Sequence, residues 1–112
     1  QIAEEGATLH LIAMVRARST AVANSGTHRI SDALKLATVA AGTLATLAKD
    51  HLVNQIMITE EGSIPPLLEL LKDKEIGNHQ NVIKALWQLA LLEDNRVAIP
   101  RAGGLVPLVT LL

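Results

Sequence analysis

Cysteine is absent from the chain, as are phenylalanine and tyrosine, and tryptophan occurs once. Without cysteine there is no disulfide, no thiol nucleophile and no thiolate metal site. With a single aromatic residue, a β-sandwich held by aromatic cross-strand pairs is disfavoured. Charge of one sign is also missing, since 10 Lys and Arg stand against 11 Asp and Glu for a formal net charge of −1. No basic field recommends nucleic acid, and no acidic excess suggests disorder. Long hydrophobic runs are lacking too. The stretch LHLIAMV falls far short of the roughly 20 apolar residues a membrane span needs, and it runs into Arg16 and Arg18. No signal peptide is visible at the start. The chain opens on Gln1 and stops inside the apolar run PLVTLL, which reads as a fragment of a longer array. These features are compatible with a cytoplasmic or nuclear setting.

What is present is aliphatic mass. Hydrophobic residues make up 49% of the 112 residues, nearly all Leu, Ile, Val and Ala, a composition suited to close helix packing in one domain. One string recurs three times: IAEEG at Ile2–Gly6, ITEEG at Ile58–Gly62 and IPRAG at Ile99–Gly103. Each Gly is followed by another helical-looking stretch, ATLHLIAMV, SIPPLLELL and GLVPLVTLL in turn. Gly62 and Gly103 lie 41 residues apart, and a second register, TLAKD from Thr46 against QLALL from Gln88, has a spacing of 42. Periods in the low forties belong to helical solenoids and to propellers. Strand alternation, aromatics and turn-rich hairpins are missing, which removes the propeller.

Within one unit the parts are legible. A short helix near Asn95 to Ala102 is closed by Gly103, which takes a left-handed cap without strain. Pro100 within it is expected to end or kink that helix just before the ring. The next helix opens on proline, Pro65 and Pro66 in one copy and Pro107 in the other, where backbone N–H groups have no intrahelical acceptor to lose. A polar loop, KDKEIGN, leads to a longer helix from His79 to about Leu92, with Asn78 as N-cap and Ile83, Leu86, Leu89 and Ala90 as its buried stripe. The first unit is 14 residues longer between equivalent points, 40 from Gly6 to Thr46 against 26 from Gly62 to Gln88. The excess falls at RARSTAVANSGTHR, Arg16–Arg29, and predicts a lengthened loop followed by a long helix over Ser31 to about Asp50.

This three-helix unit resembles the armadillo repeat, along essentially the whole chain. The resemblance is carried by KALWQLALLEDNRVAIPRAGGLVPLVTLL from Lys84 and NQIMITEEGSIPPLLELL from Asn54. It implies an all-α, right-handed α-solenoid of about two repeats. Residues 1–6 would end one repeat helix, 7–50 hold middle and long helices with a loop at about 16–30, 51–92 form a complete repeat and 93–112 start the next. Solenoids of the HEAT type, built on the same principle, are the alternative. The resemblance further implies that the long helices line a concave groove for an extended partner peptide, read by a ladder of asparagines. At the two ladder positions this sequence has Thr46 and Gln88, and one turn earlier, where nuclear-import receptors carry tryptophan, it has Gly42 and Lys84. Trp87 lies beside the ladder position instead. These departures argue against an import receptor's groove for basic signals.

Helical geometry alone points to a similar surface. Lys35, Thr38, Gly42, Thr46 and Lys49 recur at spacings of three and four, and a shift of 42 maps them onto Gly77, Gln80, Lys84, Gln88 and Leu91. The functional reading is a mildly basic, hydrogen-bonding groove for an acidic or backbone-read extended peptide. The plain reading is a solvated helix face. Gly42 marks a close approach, either of a ligand or of a neighbouring helix.

No catalytic constellation accompanies this surface. His10, His28, His51 and His79 are far apart and lack metal-ligand spacing. Ser19, Ser25 and Ser31 have no nucleophile-elbow motif, and the pairs Glu4–Glu5 and Glu60–Glu61 read as solvated charges. Trp87 is read as packing between repeats in preference to a ligand platform. The expectation is therefore a protein-binding adaptor that is not an enzyme and uses no cofactor or metal. Two other readings stand beside it. One is a structural scaffold that self-associates through its outer surface or its ends, where Leu105, Leu108 and Leu111 would lie open. The other is the substrate-binding arm of a larger ubiquitin-ligase-type protein.

Overall fold

A computed structural model describes residues 5–24, 27–72 and 79–101. The elements are α1 (Glu5–Asn24), α2 (Thr27–Ala48), α3 (Leu52–Glu60), α4 (Ile64–Lys72), α5 (Gln80–Leu89) and α6 (Glu93–Arg101). Among the described residues every regular element is a helix. The smallest overall dimension is 19 Å, the thickness of two helices at about 10 Å each. Helix α2 is central, with α1 along one side of it and α5 along another.

The aliphatic periodicity explains the core. On α1, Thr8, Ile12 and Val15 are buried at spacings of four and three. On α2, Ala37, Ala40, Ala41, Leu44, Ala45 and Ala48 are buried, and alanine there lets neighbouring helices come close. Helix α4 contributes Ile64, Leu67, Leu68, Leu70 and Leu71, and α5 contributes Val82, Ala85, Leu86 and Leu89. The 42-residue register is visible in this core, because Ala40 and Leu44 of α2 correspond to Val82 and Leu86 of α5, all buried.

Helix ends follow from local chemistry. Gly62 has φ +84, and Glu61 and Gly62 donate their N–H groups to Met57 O and Thr59 O, closing α3 as expected of a left-handed cap. Pro65 and Pro66 occupy the first turn of α4. Ser63 precedes them, fully buried, yet its hydroxyl has no hydrogen-bond partner. The prolines supply the reason. A cap hydroxyl ordinarily accepts from the second or third helical N–H, and here both residues lack one.

Four expectations are corrected. The segment at Arg16–Arg29 is not a lengthened loop: α1 continues to Asn24 and α2 already begins at Thr27. Interspersed alanines sustain the helix, since Ser, Thr and Asn cost only about 0.5 kcal/mol each relative to alanine. Gly6 lies within α1 with open space around it and does not end a helix. Helix α5 stops at Leu89, short of Leu92, because side chains from α6 take over its terminal carbonyls, as described below. Pro100 sits inside the last turn of α6, which runs one residue beyond it. The ring removes the N–H that would bond the carbonyl of Arg96, but so near the C-terminus little helix remains beyond it to be bent. Asn78, the KDKEIGN loop beyond Lys72, Gly103 and the Pro107 helix lie outside the described residues.

Candidate partner-binding surface

Helices α2 and α5 are each followed by a tight corner and a helix of 9 residues, and the corners share one device. Asn54, the third residue of α3, is buried and donates its Nδ2 to Leu47 O at 2.7 Å. Asn95, the third residue of α6 and 41 positions later, is buried and donates its Nδ2 to Leu89 O at 2.8 Å. The following residues reinforce the grip. Gln55 Nε2 donates to Ala48 O at 2.9 Å, while Arg96 Nε donates to Ala90 O at 2.9 Å and its Nη2 to Leu91 O. Carbonyls at the C-termini of α2 and α5 thus gain side-chain donors from the opening turn of the next helix, while Ala48 O and Leu89 O also accept from His51 N and Leu92 N. At the first corner His51 caps α3, its Nδ1 accepting from Asn54 N at 3.3 Å.

A polar thread joins the corners. Asn95 Nδ2 also donates to Thr59 Oγ1 at 2.8 Å, and that hydroxyl donates in turn to Gln55 O at 2.8 Å. Elsewhere the units meet through small groups. Asn81 of α5 donates its Nδ2 to Thr38 O of α2 at 3.1 Å. A Cβ on Gly42 would lie 2.8 Å from that same nitrogen.

This contact decides where the expected groove residues stand. Thr38 and Gly42 are half-buried in the joint between α2 and α5, so Gly42 accommodates a neighbouring helix. Lys35 and Thr46 are exposed on α2, Lys49 is exposed in the turn just after it, and Gln80 and Lys84 are exposed on α5. Gln88 is half-buried, with Oε1 enclosed and without a hydrogen-bond partner. Leu91, the counterpart of Lys49, is exposed, and Gly77 lies outside the described residues. The threonines commit their protons locally, Thr38 Oγ1 to Leu34 O and Thr46 Oγ1 to Gly42 O, which leaves each hydroxyl able to accept. The stripe is therefore split. Its flanks are open and its centre is a helix joint.

Trp87 departs from the expected packing role, being 66% exposed. Glu61 departs from the expected solvated charge: it is half-buried, one oxygen accepts from Thr8 Oγ1, and the other is enclosed without a partner. Glu60 is exposed, as is His10. Among the described residues no group of three or more His, Asp or Glu side chains is placed to hold a metal ion. No helix among them is long and apolar enough to cross a membrane. The sequence places Asn95 at the opening of a short helix, but the bonds made by Asn54, Asn95 and Asn81 are not read from it. The 41-residue spacing of the first two, each near the start of a short helix, was a usable signal for them. Nothing in the sequence announces that Asn81 meets Gly42.

Comparison with known proteins gives a consistent set of relatives. The chain is 35% identical over 66 residues to U-box domain-containing protein 1 of Medicago truncatula, a match covering 59% of this chain and 10% of that protein. It is 31% identical over 74 residues to U-box domain-containing protein 10 of Arabidopsis thaliana, covering 65% and 12%. It is 40% identical over 55 residues to E3 ubiquitin-protein ligase SPL11 of Oryza sativa subsp. japonica, covering 49% and 8%. The chain thus spans about a tenth of the length of the curated relatives it matches. No family model and no solved structure matches it. These relatives overturn the expectation that the chain is not an enzyme, since one of them is named an E3 ubiquitin-protein ligase. That expectation considered only side-chain constellations for hydrolysis, nucleophilic attack and metal binding, and such a test does not separate this sequence from a ligase.

Proposed function

We propose that the chain is a protein-holding segment of a ubiquitin-ligase-type protein, built as an armadillo-type right-handed α-solenoid that presents substrates or regulators to the ligation machinery. The observation that carries this reading is the repeated corner, in which Asn54 and Asn95 hold two successive long helices by the same carbonyl latch. A device repeated at the repeat's own period is what stacking of equivalent units requires. The similarity to U-box proteins supports the ligase context.

The partner lies as an extended segment across the open parts of α2 and α5. Lys35, Lys49 and Lys84 supply positive charge there, and the hydroxyl of Thr46 supplies a hydrogen-bond acceptor. Such a surface favours a segment with carboxylates, whose backbone N–H groups can reach the threonine. The test is selection of extended peptides from a displayed library against the wild type, followed by titration of the winners against a Lys35→Glu, Lys49→Glu, Lys84→Glu variant. Acidic peptides that bind the wild type and lose roughly tenfold or more in affinity to the variant support the reading. Equal binding to both, with circular dichroism showing both folded, removes these lysines from the site.

A further inference from the structure

Helix α3 is held near both ends by hydrogen bonds that reach other helices. At its start His51 Nδ1 accepts from Asn54 N, while Asn54 Nδ2 and Gln55 Nε2 donate to Leu47 O and Ala48 O at the end of α2. In its last turn Thr59 Oγ1 accepts from Asn95 Nδ2 at 2.8 Å, and the same nitrogen donates to Leu89 O at the end of α5. A path of bonded groups thus runs from the C-terminus of α2, along α3, to the C-terminus of α5.

Thr59 is the link on which this path depends. Its hydroxyl proton is committed to Gln55 O one turn earlier, at 2.8 Å, so toward α6 it offers only an acceptor. An amide N–H needs that acceptor. Asn95 is 2% exposed, and both hydrogens of its Nδ2 have protein partners only while Thr59 accepts one of them. The repeat does not impose this residue. Asn54 and Asn95 recur at an interval of 41, but the position 41 beyond Thr59 is Pro100, which has no hydroxyl. The latch recurs with the repeat, and the link between latches does not.

We propose that Thr59 makes α3 a strap coupling the two corners, so that loosening of the α2–α3 corner is transmitted to the α5–α6 corner. Helix α3 has 9 residues, short enough to move as one body, and a displacement at its start reaches its last turn. With the strap intact, the ends of α2 and α5 hold or open together. Without it, each corner opens on its own. The coupling is reciprocal, as any equilibrium coupling between two sites must be. The inference is independent of the peptide-binding reading, since neither Thr59 nor Asn95 belongs to that surface.

Native-state hydrogen exchange of the full chain provides the test, in a cycle of wild type, His51→Ala, Thr59→Val and the double variant, each checked by circular dichroism. His51→Ala removes the cap of α3 and should raise opening of the first corner roughly two- to thirtyfold. The second corner is read from the amides of Ala90, Leu92 and Asn95, and general unfolding from the amide of Leu67 in α4. His51→Ala is expected to speed exchange at the second corner roughly twofold or more beyond any change at Leu67, and to have no such effect in the Thr59→Val background. Thr59→Ser keeps the hydroxyl and is expected to keep the response. Thr59→Ala decides the matter if the valine variant does not fold. An equal response in both backgrounds, a rise matched at Leu67, no response in the wild type, or its loss in the serine variant overturns the proposal.

Discussion

Asn81 of α5 stands directly over Gly42 of α2, donating to the carbonyl of Thr38 one turn before the glycine. A methyl group at position 42 would lie 2.8 Å from Nδ2 and 3.0 Å from Cγ of that asparagine. Gly42→Ala therefore sets two effects against each other. Helix propensity favours alanine by about 1 kcal/mol. Displacing Asn81 forfeits its hydrogen bond and strains a close joint, at a cost of about 1–3 kcal/mol. The expected result is a net loss of stability in the wild-type background and a gain of about 1 kcal/mol in an Asn81→Ala background. Urea unfolding of the four proteins in the cycle checks this, and a Gly42→Ala gain of equal size in both backgrounds would remove Asn81 as the constraint.

The two corner asparagines should be costly to replace. Asn95→Ala leaves Leu89 O without its side-chain donor and removes the link to Thr59, so a loss of about 1–3 kcal/mol is expected. Asn95→Asp, of similar size, should be at least as damaging, because a carboxylate would face a carbonyl oxygen in a buried setting. Arg96→Ala, at an exposed position, should cost less than either. Thermal unfolding that ranks Arg96→Ala as the worst of the three would contradict the latch.

Ser63 inverts the usual rule for a residue at a helix start. Replacing a capping serine by alanine ordinarily costs about 0.5–2 kcal/mol. Here the hydroxyl is buried without a partner, so Ser63→Ala should be neutral or stabilising by up to about 1 kcal/mol. Restoring an N–H with Pro66→Ala should make the same substitution unfavourable. Chemical denaturation of the single and double variants distinguishes the cases, and an ordinary capping loss with both prolines in place would refute the explanation.

Asp50 holds a φ of 55 in the turn between α2 and α3, a left-handed conformation that costs a non-glycine residue roughly 1 kcal/mol. Its carboxylate also follows the negative end of α2. Asp50→Asn should raise the melting temperature slightly, and Asp50→Val should lower it, since a β-branched side chain fits this region poorly. An increase with valine would show that the turn relaxes to negative φ at little cost.

Much of this architecture could be read from residue spacing. The left-handed cap at Gly62, the prolines opening α4 and the buried Leu86 and Leu89 of α5 are local features, determined by backbone conformation and side-chain period. The continuation of α1 through Asn24 is obscured because Ser, Thr and Asn are equally at home in loops, and the alanines among them are a weak signal beside that. The binding stripe was harder still. Periodicity places Thr38, Gly42 and Thr46 along one side of α2, but which of them face solvent depends on how α5 seats, a tertiary contact made by Asn81. Trp87 shows the same limit, since a tryptophan in an apolar stripe looks like core until the neighbour it would pack against is located.

The thread from Ala48 through Gln55, Thr59 and Asn95 to Leu89 has a mechanical meaning. It runs along the short-helix side of the stack, while the opposite side is joined where Asn81 rests on Gly42. One margin is tied by a chain of four side-chain hydrogen bonds and the other by a single one, from Asn81 to Thr38 O, set in a close fit over Gly42. Such a stack behaves like a bound book. It is expected to open less readily along the stitched spine than along the margin where α5 rests on α2.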